Sequence, residues 1–300
     1  MKRAVAFLMV LSAGVTALYY SQRRRDATPV SANAVVAMAA DVQRDVTRAP
    51  LRLTRLSDHE EVALGNELAV QYEVDPEQLS PQQKALEAYV GNVGRAVAQH
   101  AHRHLPYAFH LLPDRSVVNA FSLPGGHVYI GEGLLDLMAS EDELASVLGH
   151  EIEHIDHYHC AERVQIEAQL RHLQLGVVGA IVQIPLSVWE AGYNKDEEFE
   201  ADREGMQLAV QSGYSPYGAV TLFEKFAKLH AEGRTRAQSP EQEISELALQ
   251  SLEGYFRSHP LTSERLAQAN RLIVQEGWQG RKAQEPFRVE YEVRNGRYAK

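Results

Sequence analysis

The sequence predicts an α+β fold, mainly α-helical, with one small β-sheet. Three observations carry this expectation. Apolar residues recur at helical spacing over residues 81–100 and along most of the chain after Ser140, residues 107–112 and 127–130 read as strands, and Pro124-Gly125-Gly126 punctuates the run between them.

Taken in chain order, Lys2 and Arg3 precede a mostly apolar run over residues 4–20, and Arg23, Arg24 and Arg25 follow it. A basic start before an apolar run is export-signal architecture, so residues 1–25 are expected to be a signal peptide or a membrane anchor. The run is long for a signal and at the short limit for a span, and basic residues on both sides leave its orientation open. Residues 26–52, rich in Ala, Val, Ser and Thr, read as a linker. A globular domain is expected over residues 53–270. Ser57 and Glu60 can form a capping box at its first helix, and Leu86, Val90, Val93 and Val97 share one face of the second. Residues 173–189 are apolar but hold Gln174, Gln183 and Pro185, which favours a buried or interfacial helix over a second span. The tail, residues 271–300, is expected to carry a strand near residues 287–293.

Composition excludes several classes. With 45% hydrophobic and 23% charged residues, a chain of 300 residues can bury a substantial core. Its formal charge is -10, and because residues 1–25 hold five bases and no acid, the remainder is more acidic still. Such a surface repels phosphate backbones, so no nucleic-acid partner is expected. Cys160 is the single cysteine. It rules out an intramolecular disulfide and a multi-thiolate zinc site, and is expected to be a small packed residue; any metal must rest on His and carboxylates.

The strongest chemical signal is His150-Glu151-Ile152-Glu153-His154, an H-E-x-x-H pattern. On a helix, residues four apart lie one above the other, so both imidazoles can reach one metal with Glu151 beside them. Ser140 and Glu143 supply a helix start, and Leu144, Val147, Leu148, Ile152 and Ile155 an apolar stripe. A catalytic zinc needs a third protein ligand. Glu198 and Asp202, four apart, share a face; one can ligate while the other orients a ligating imidazole, whereas Glu197 and Glu200 point elsewhere on a helix. His157 and His159 are expected to be exposed or hydrogen-bonded rather than further ligands.

These segments together resemble the HtpX, BepA and CAAX-prenyl-protease type of gluzincin metallopeptidases, family forty-eight of the metallopeptidases. The resemblance rests on Asn119-Ala120-Phe121 with Pro124-Gly125-Gly126, on Gly149 to His154, on Glu198-Phe199-Glu200-Ala201-Asp202, and on Ser258-His259-Pro260 with Arg265. It implies a gluzincin-type metalloprotease domain with its sheet beside the zinc-binding helix, and one Zn2+ per chain held by His150, His154 and Glu198. Glu151 would be the general base, and Asp202 would hold a ligating imidazole. Asn194-Lys195 and Glu153 depart from the family's usual residues and put helix-helix detail in doubt.

His259 is expected near the catalytic centre in one of three roles: structural, stabilising an oxyanion, or reaching the metal's open position when substrate is absent. Asn119, Gly125, Gly126, His127 and Tyr129 are expected on a strand segment that, at the cleft edge, would pair with an extended polypeptide substrate. The function implied is zinc-dependent metalloendopeptidase activity on unfolded or misassembled proteins, in quality control at a membrane or in the cell envelope. The expected location is the envelope or periplasm, with the inner membrane, or the mitochondrial inner membrane, reached through the N-terminal segment if it is retained. The competing expectation is a zinc-stabilised, non-hydrolytic chaperone or assembly factor, against which the presence of Glu151 argues.

Overall fold

The computed structural model describes residues 55–165, 193–233, 252, 255, 258–260 and 263–281. The expected signal or anchor, the linker, the apolar stretch over residues 173–189 and the strand near residues 287–293 lie outside the described residues. A compact unit begins at Leu56. Within it run α1 (Asp58–Ala69), α2 (Pro81–Ala98), β1 (Ala108–Leu112), β2 (Ala120–Leu123), β3 (His127–Gly131), α3 (Glu132–Leu137), α4 (Glu141–Asp156), α5 (Lys195–Gln211), α6 (Tyr217–Gly233) and α7 (Ser263–Gln275). The fold is α+β and mainly helical with a small sheet, as the sequence predicts.

Local chemistry sets the helix starts. Ser57 with Glu60, Ser80 with Gln83 and Asn194 with Glu197 each form a reciprocal capping box that satisfies otherwise orphaned amides at the starts of α1, α2 and α5. Ser140 caps α4 by accepting from the Glu143 amide. Glu143 instead turns its carboxylate to the Ala139 N–H, Thr221 and Lys225.

The sheet has the order β1-β3-β2, with β1 parallel and β2 antiparallel to β3. This corrects the substrate-strand expectation. His127 and Tyr129 lie on the central strand, whose two edges are already paired, so β3 has no free edge for a polypeptide. Tyr129 is buried and stacks on Phe121 and His110, while His127 bonds to Asn66 and His110. Gly125 and Gly126 are buried beneath α1. A Cβ on Gly125 would lie 2.6 Å from the Val62 Cα, and its φ of +80° suits glycine alone, so it serves a turn packed on α1. The strand that packs most against the helix carrying His150 and His154 is β2.

All of α4 is buried. It packs against α5 most extensively, then α6, α2 and β2. α4 and α5 cross at Gly149 and Gly205, where a Cβ on Gly149 would stand 2.5 Å from the Gly205 carbonyl oxygen and one on Gly205 2.6 Å from the His150 amide nitrogen. That close approach brings the polar side chains of the two helices within reach of one another. A second apolar cluster joins α5, α6 and α7 through Met206, Phe223, Ala269, Leu272 and Ile273. The expected domain end at residue 270 therefore falls inside α7, whose last turns are part of the core.

Candidate active site

His150 and His154 project from α4 one turn apart, and their Nε2 atoms face each other at 3.0 Å. Glu198, from the first turn of α5, places Oε2 3.6 Å from His150 Nε2 and Oε1 3.5 Å from His154 Nε2. His259 brings its Nδ1 to 3.1 Å from both His150 Nε2 and Glu198 Oε1. All four side chains are buried, and each offers a ligand atom within 4.8 Å of the others. Facing imidazole nitrogens pair only when one of them carries a hydrogen, and His150 Nε2 faces both His154 Nε2 and His259 Nδ1, so one tautomer choice leaves a nitrogen lone pair opposed to another. Their convergence with a carboxylate on one point fits a shared cation.

The supports differ for the two motif histidines. Asp202 Oδ1 lies 3.0 Å from His150 Nδ1. Burial pushes the His150 pKa down, but Asp202 and Glu198 outweigh it and raise the value. Behind His154 stands His159, Nδ1 to Nδ1 at 3.0 Å, with His159 Nε2 lying 3.4 Å from Glu200. The Tyr193 ring stacks on His154 at 3.6 Å. Burial holds His154 well below the ordinary histidine range. Arg265 grips Asp202 through two bonds of 2.6 Å and reaches Glu198 at 2.5 Å. Burial alone would raise both carboxyls; the Arg265 guanidinium, the largest opposing influence, leaves Asp202 lowered and Glu198 lowered well below the carboxylate range.

Glu151 lies alongside, fully buried. Ser122 of β2 donates to its Oε2 at 2.9 Å, and His259 Nε2 lies 3.3 Å from its Oε1, which accepts no hydrogen bond among the described residues. One carboxylate oxygen is thus fixed and the other is available. Asn119 is half-buried at the start of β2, its side-chain oxygen 3.5 Å from Ser258 Oγ. It is the one expected strand residue beside the cluster, since Gly125, Gly126, His127 and Tyr129 serve the sheet and the turn. Glu197 is spent on the Asn194 cap.

Sequence reasoning gave no role to Ser122, His159, Tyr193 and Arg265. His159 is expected from the sequence to be exposed or hydrogen-bonded, and it is buried and hydrogen-bonded; its partner is set by the turn that follows the end of α4 at Asp156, where Tyr158 takes a φ of 63°. That turn folds His159 back against His154, which helical periodicity could not reveal. Arg265 stood within the resemblance without a role. Ser122 and Tyr193 carry no sequence signal, because their contacts join segments distant along the chain.

A helix bearing H-E-x-x-H whose imidazoles meet a glutamate from a second helix defines the gluzincin class of metallopeptidase site. The chain belongs to peptidase family M48, whose profile matches residues 84–273. It is 30% identical over 204 residues to the beta-barrel assembly-enhancing protease of Escherichia coli K12, covering 61% of this chain and 38% of that protein. It is 30% identical over 168 residues to the mitochondrial metalloendopeptidase OMA1 of Arabidopsis thaliana, covering 53% of this chain and 31% of that one. A third relative, the metalloprotease LoiP of Escherichia coli K12, is 30% identical over 159 residues, 49% of this chain and 56% of its own length. The chain thus spans well under two thirds of the length of these relatives. Membership of this family implies a metal.

Proposed function

We propose that the chain is a zinc-dependent metalloendopeptidase in which His150, His154 and Glu198 hold one zinc ion. The observation that carries this reading is the convergence of those three side chains from two helices, with a buried glutamate beside them that accepts, among the described residues, no hydrogen bond on one oxygen. When bound, zinc supplies Lewis-acid polarisation of the scissile carbonyl and acidifies water. Glu151 is the general base: Ser122 fixes Oε2, and Oε1 takes the proton of the attacking water and returns it to the leaving amine. Asp202 accepts the His150 Nδ1–H, and Arg265 keeps both Asp202 and Glu198 ionised. The substrate class is unfolded or misassembled polypeptide, laid against the β2 side of the sheet rather than β3.

His259 stands where a fourth ligand would stand, which supports the reading in which it reaches the metal's open position when substrate is absent. Hydrolysis then requires His259 to withdraw. The same observation favours the alternative, a zinc-stabilised non-hydrolytic chaperone or assembly factor, because structural zinc sites are closed and catalytic ones open. Glu151→Gln separates the two. It deletes the base and no ligand, so it should abolish cleavage of casein or a denatured protein while zinc content stays at wild-type level. Undiminished cleavage by the variant, or no cleavage by the wild type under any condition, would overturn the peptidase reading.

Quality control at a membrane or in the cell envelope is the setting we propose, reached through residues 1–25 as a signal or anchor with residues 26–52 as linker. The names of the relatives, one a beta-barrel assembly-enhancing protease and one a mitochondrial enzyme, support envelope and mitochondrial locations respectively. Among the described residues no helix is long and apolar enough to cross a membrane.

A further inference from the structure

Helix α4 buries six acids, and five of them are hydrogen-bonded. Glu141 receives the Tyr89 and Tyr214 hydroxyls, Asp142 the Ser215 amide, Glu143 Lys225 and Thr221, Glu151 Ser122, and Asp156 the amides of His102 and Arg103. Glu153 is the exception. It lies within the H-E-x-x-H segment, its side chain is fully buried, and among the described residues neither of its oxygens receives a hydrogen bond. His157 Nε2 lies 3.2 Å from Glu153 Oε2 but hydrogen-bonds to Glu204 Oε2 at 2.9 Å. His157 is the cation paired with this carboxylate, and it is shared with Glu200 and Glu204, so one imidazole among three carboxylates leaves a surplus of negative charge that a divalent cation would offset.

The spacing around it repeats that of the catalytic cluster. His150 and His154 are four apart on α4 and face Glu198 and Asp202, four apart on α5. Glu153 and His157 are four apart at the end of α4 and face Glu200 and Glu204, four apart on α5. Glu153, His157 and Glu204 each offer one ligand atom within 4.8 Å of the others. Glu200 Oε2 lies 3.6 Å from His157 Nδ1. Arg203 holds the far oxygen of Glu204 at 2.5 Å, which turns Oε2 toward the group. His157 and Glu204 keep 27% and 18% of their side-chain surface exposed, which gives an ion access and leaves room for water to complete its coordination.

We propose that Glu153, His157 and Glu204 form a second metal site, separate from the catalytic cluster, that takes a zinc-like divalent cation and ties the end of α4 to α5. One imidazole with two carboxylates is a donor set that suits Zn2+ better than the all-oxygen shell wanted by Mg2+ or Ca2+. The ion satisfies the orphaned Glu153 oxygens and offsets the surplus negative charge of the group, which Arg203 and His157 only partly neutralise.

The test is titration of the metal-stripped full chain with zinc chloride, followed by calorimetry and by elemental analysis after dialysis. The wild type should bind about two equivalents per chain, and His157→Ala and Glu204→Gln about one each, consistent with loss of one three-ligand site. Glu198→Ala should weaken the catalytic event and keep the second, which separates this proposal from the assignment of the catalytic zinc. Glu204→Gln, an isosteric change at a mostly buried side chain near the surface, decides the matter if His157→Ala does not fold. About one equivalent in the wild type, a second event that survives Glu204→Gln, or loss of the second event in Glu198→Ala would overturn the proposal.

Discussion

At the scale of single residues, the two motif imidazoles are held from behind by different chemistry. His150 rests on a carboxylate that Arg265 clamps, and His154 on an imidazole beside Glu200. Partners of this kind fix the tautomer of a ligating histidine. Replacing His159 by Ala should therefore weaken zinc binding by roughly ten- to a hundred-fold, with Asn restoring part of it through its amide oxygen. Competition against a graded chelator reads this out, and an affinity equal to wild type would show that His159 is only packing. Glu198→Ala should lose the catalytic zinc and cleavage together, because it removes a ligand; a catalytic binding event of wild-type affinity under the same challenge would place the third ligand elsewhere. Cys160 is a different case. Burial pushes its thiol up to about 12, so at pH 8 it stays protonated as well as inaccessible. Iodoacetamide should label it only after denaturation, and rapid labelling of the folded chain would contradict the packing described.

At the scale of elements, the site is a consequence of how closely α4 and α5 approach. Neither Gly149 nor Gly205 is needed for a special backbone angle; each is needed because a methyl group would collide with the other helix. Gly205→Ala should force α5 away from His150, cost about 1–3 kcal/mol of stability by overpacking, and lower zinc affinity by the same displacement. Thermal unfolding in chelator separates the stability loss from the metal effect. A variant with unchanged melting and zinc binding would mean that the helices slide apart without penalty. The sheet also acts through one element, since β2 carries Ser122 to Glu151 while β3 is locked between its neighbours.

At the scale of the whole molecule, the folded unit beginning at Leu56 contains the complete cluster, and the second apolar core fastens α7, with Arg265, onto α5 and α6. The role proposed for residues 1–25 is delivery. Deleting them should leave zinc content and casein cleavage unchanged while moving the protein from the membrane or exported fraction to the cytosol. An unaltered distribution after fractionation would refute the signal or anchor assignment.

The sequence by itself determined the helical character, the helix starts at Ser57 and Ser140, the strands β1 and β3, the break at Pro124-Gly125-Gly126, and the family, because each is written in neighbouring residues or in short motifs. It also narrowed the candidate ligands to pairs four apart, since helical spacing is a local property. Only the tertiary structure decided that β3 is the central strand, that Ser122 meets Glu151, that His159 turns back onto His154, and that Glu153 is buried beside His157 and Glu204. Strand order, the φ of Tyr158 and the approach of two helices at a pair of glycines depend on packing between segments far apart in the chain. No periodicity within either segment encodes them.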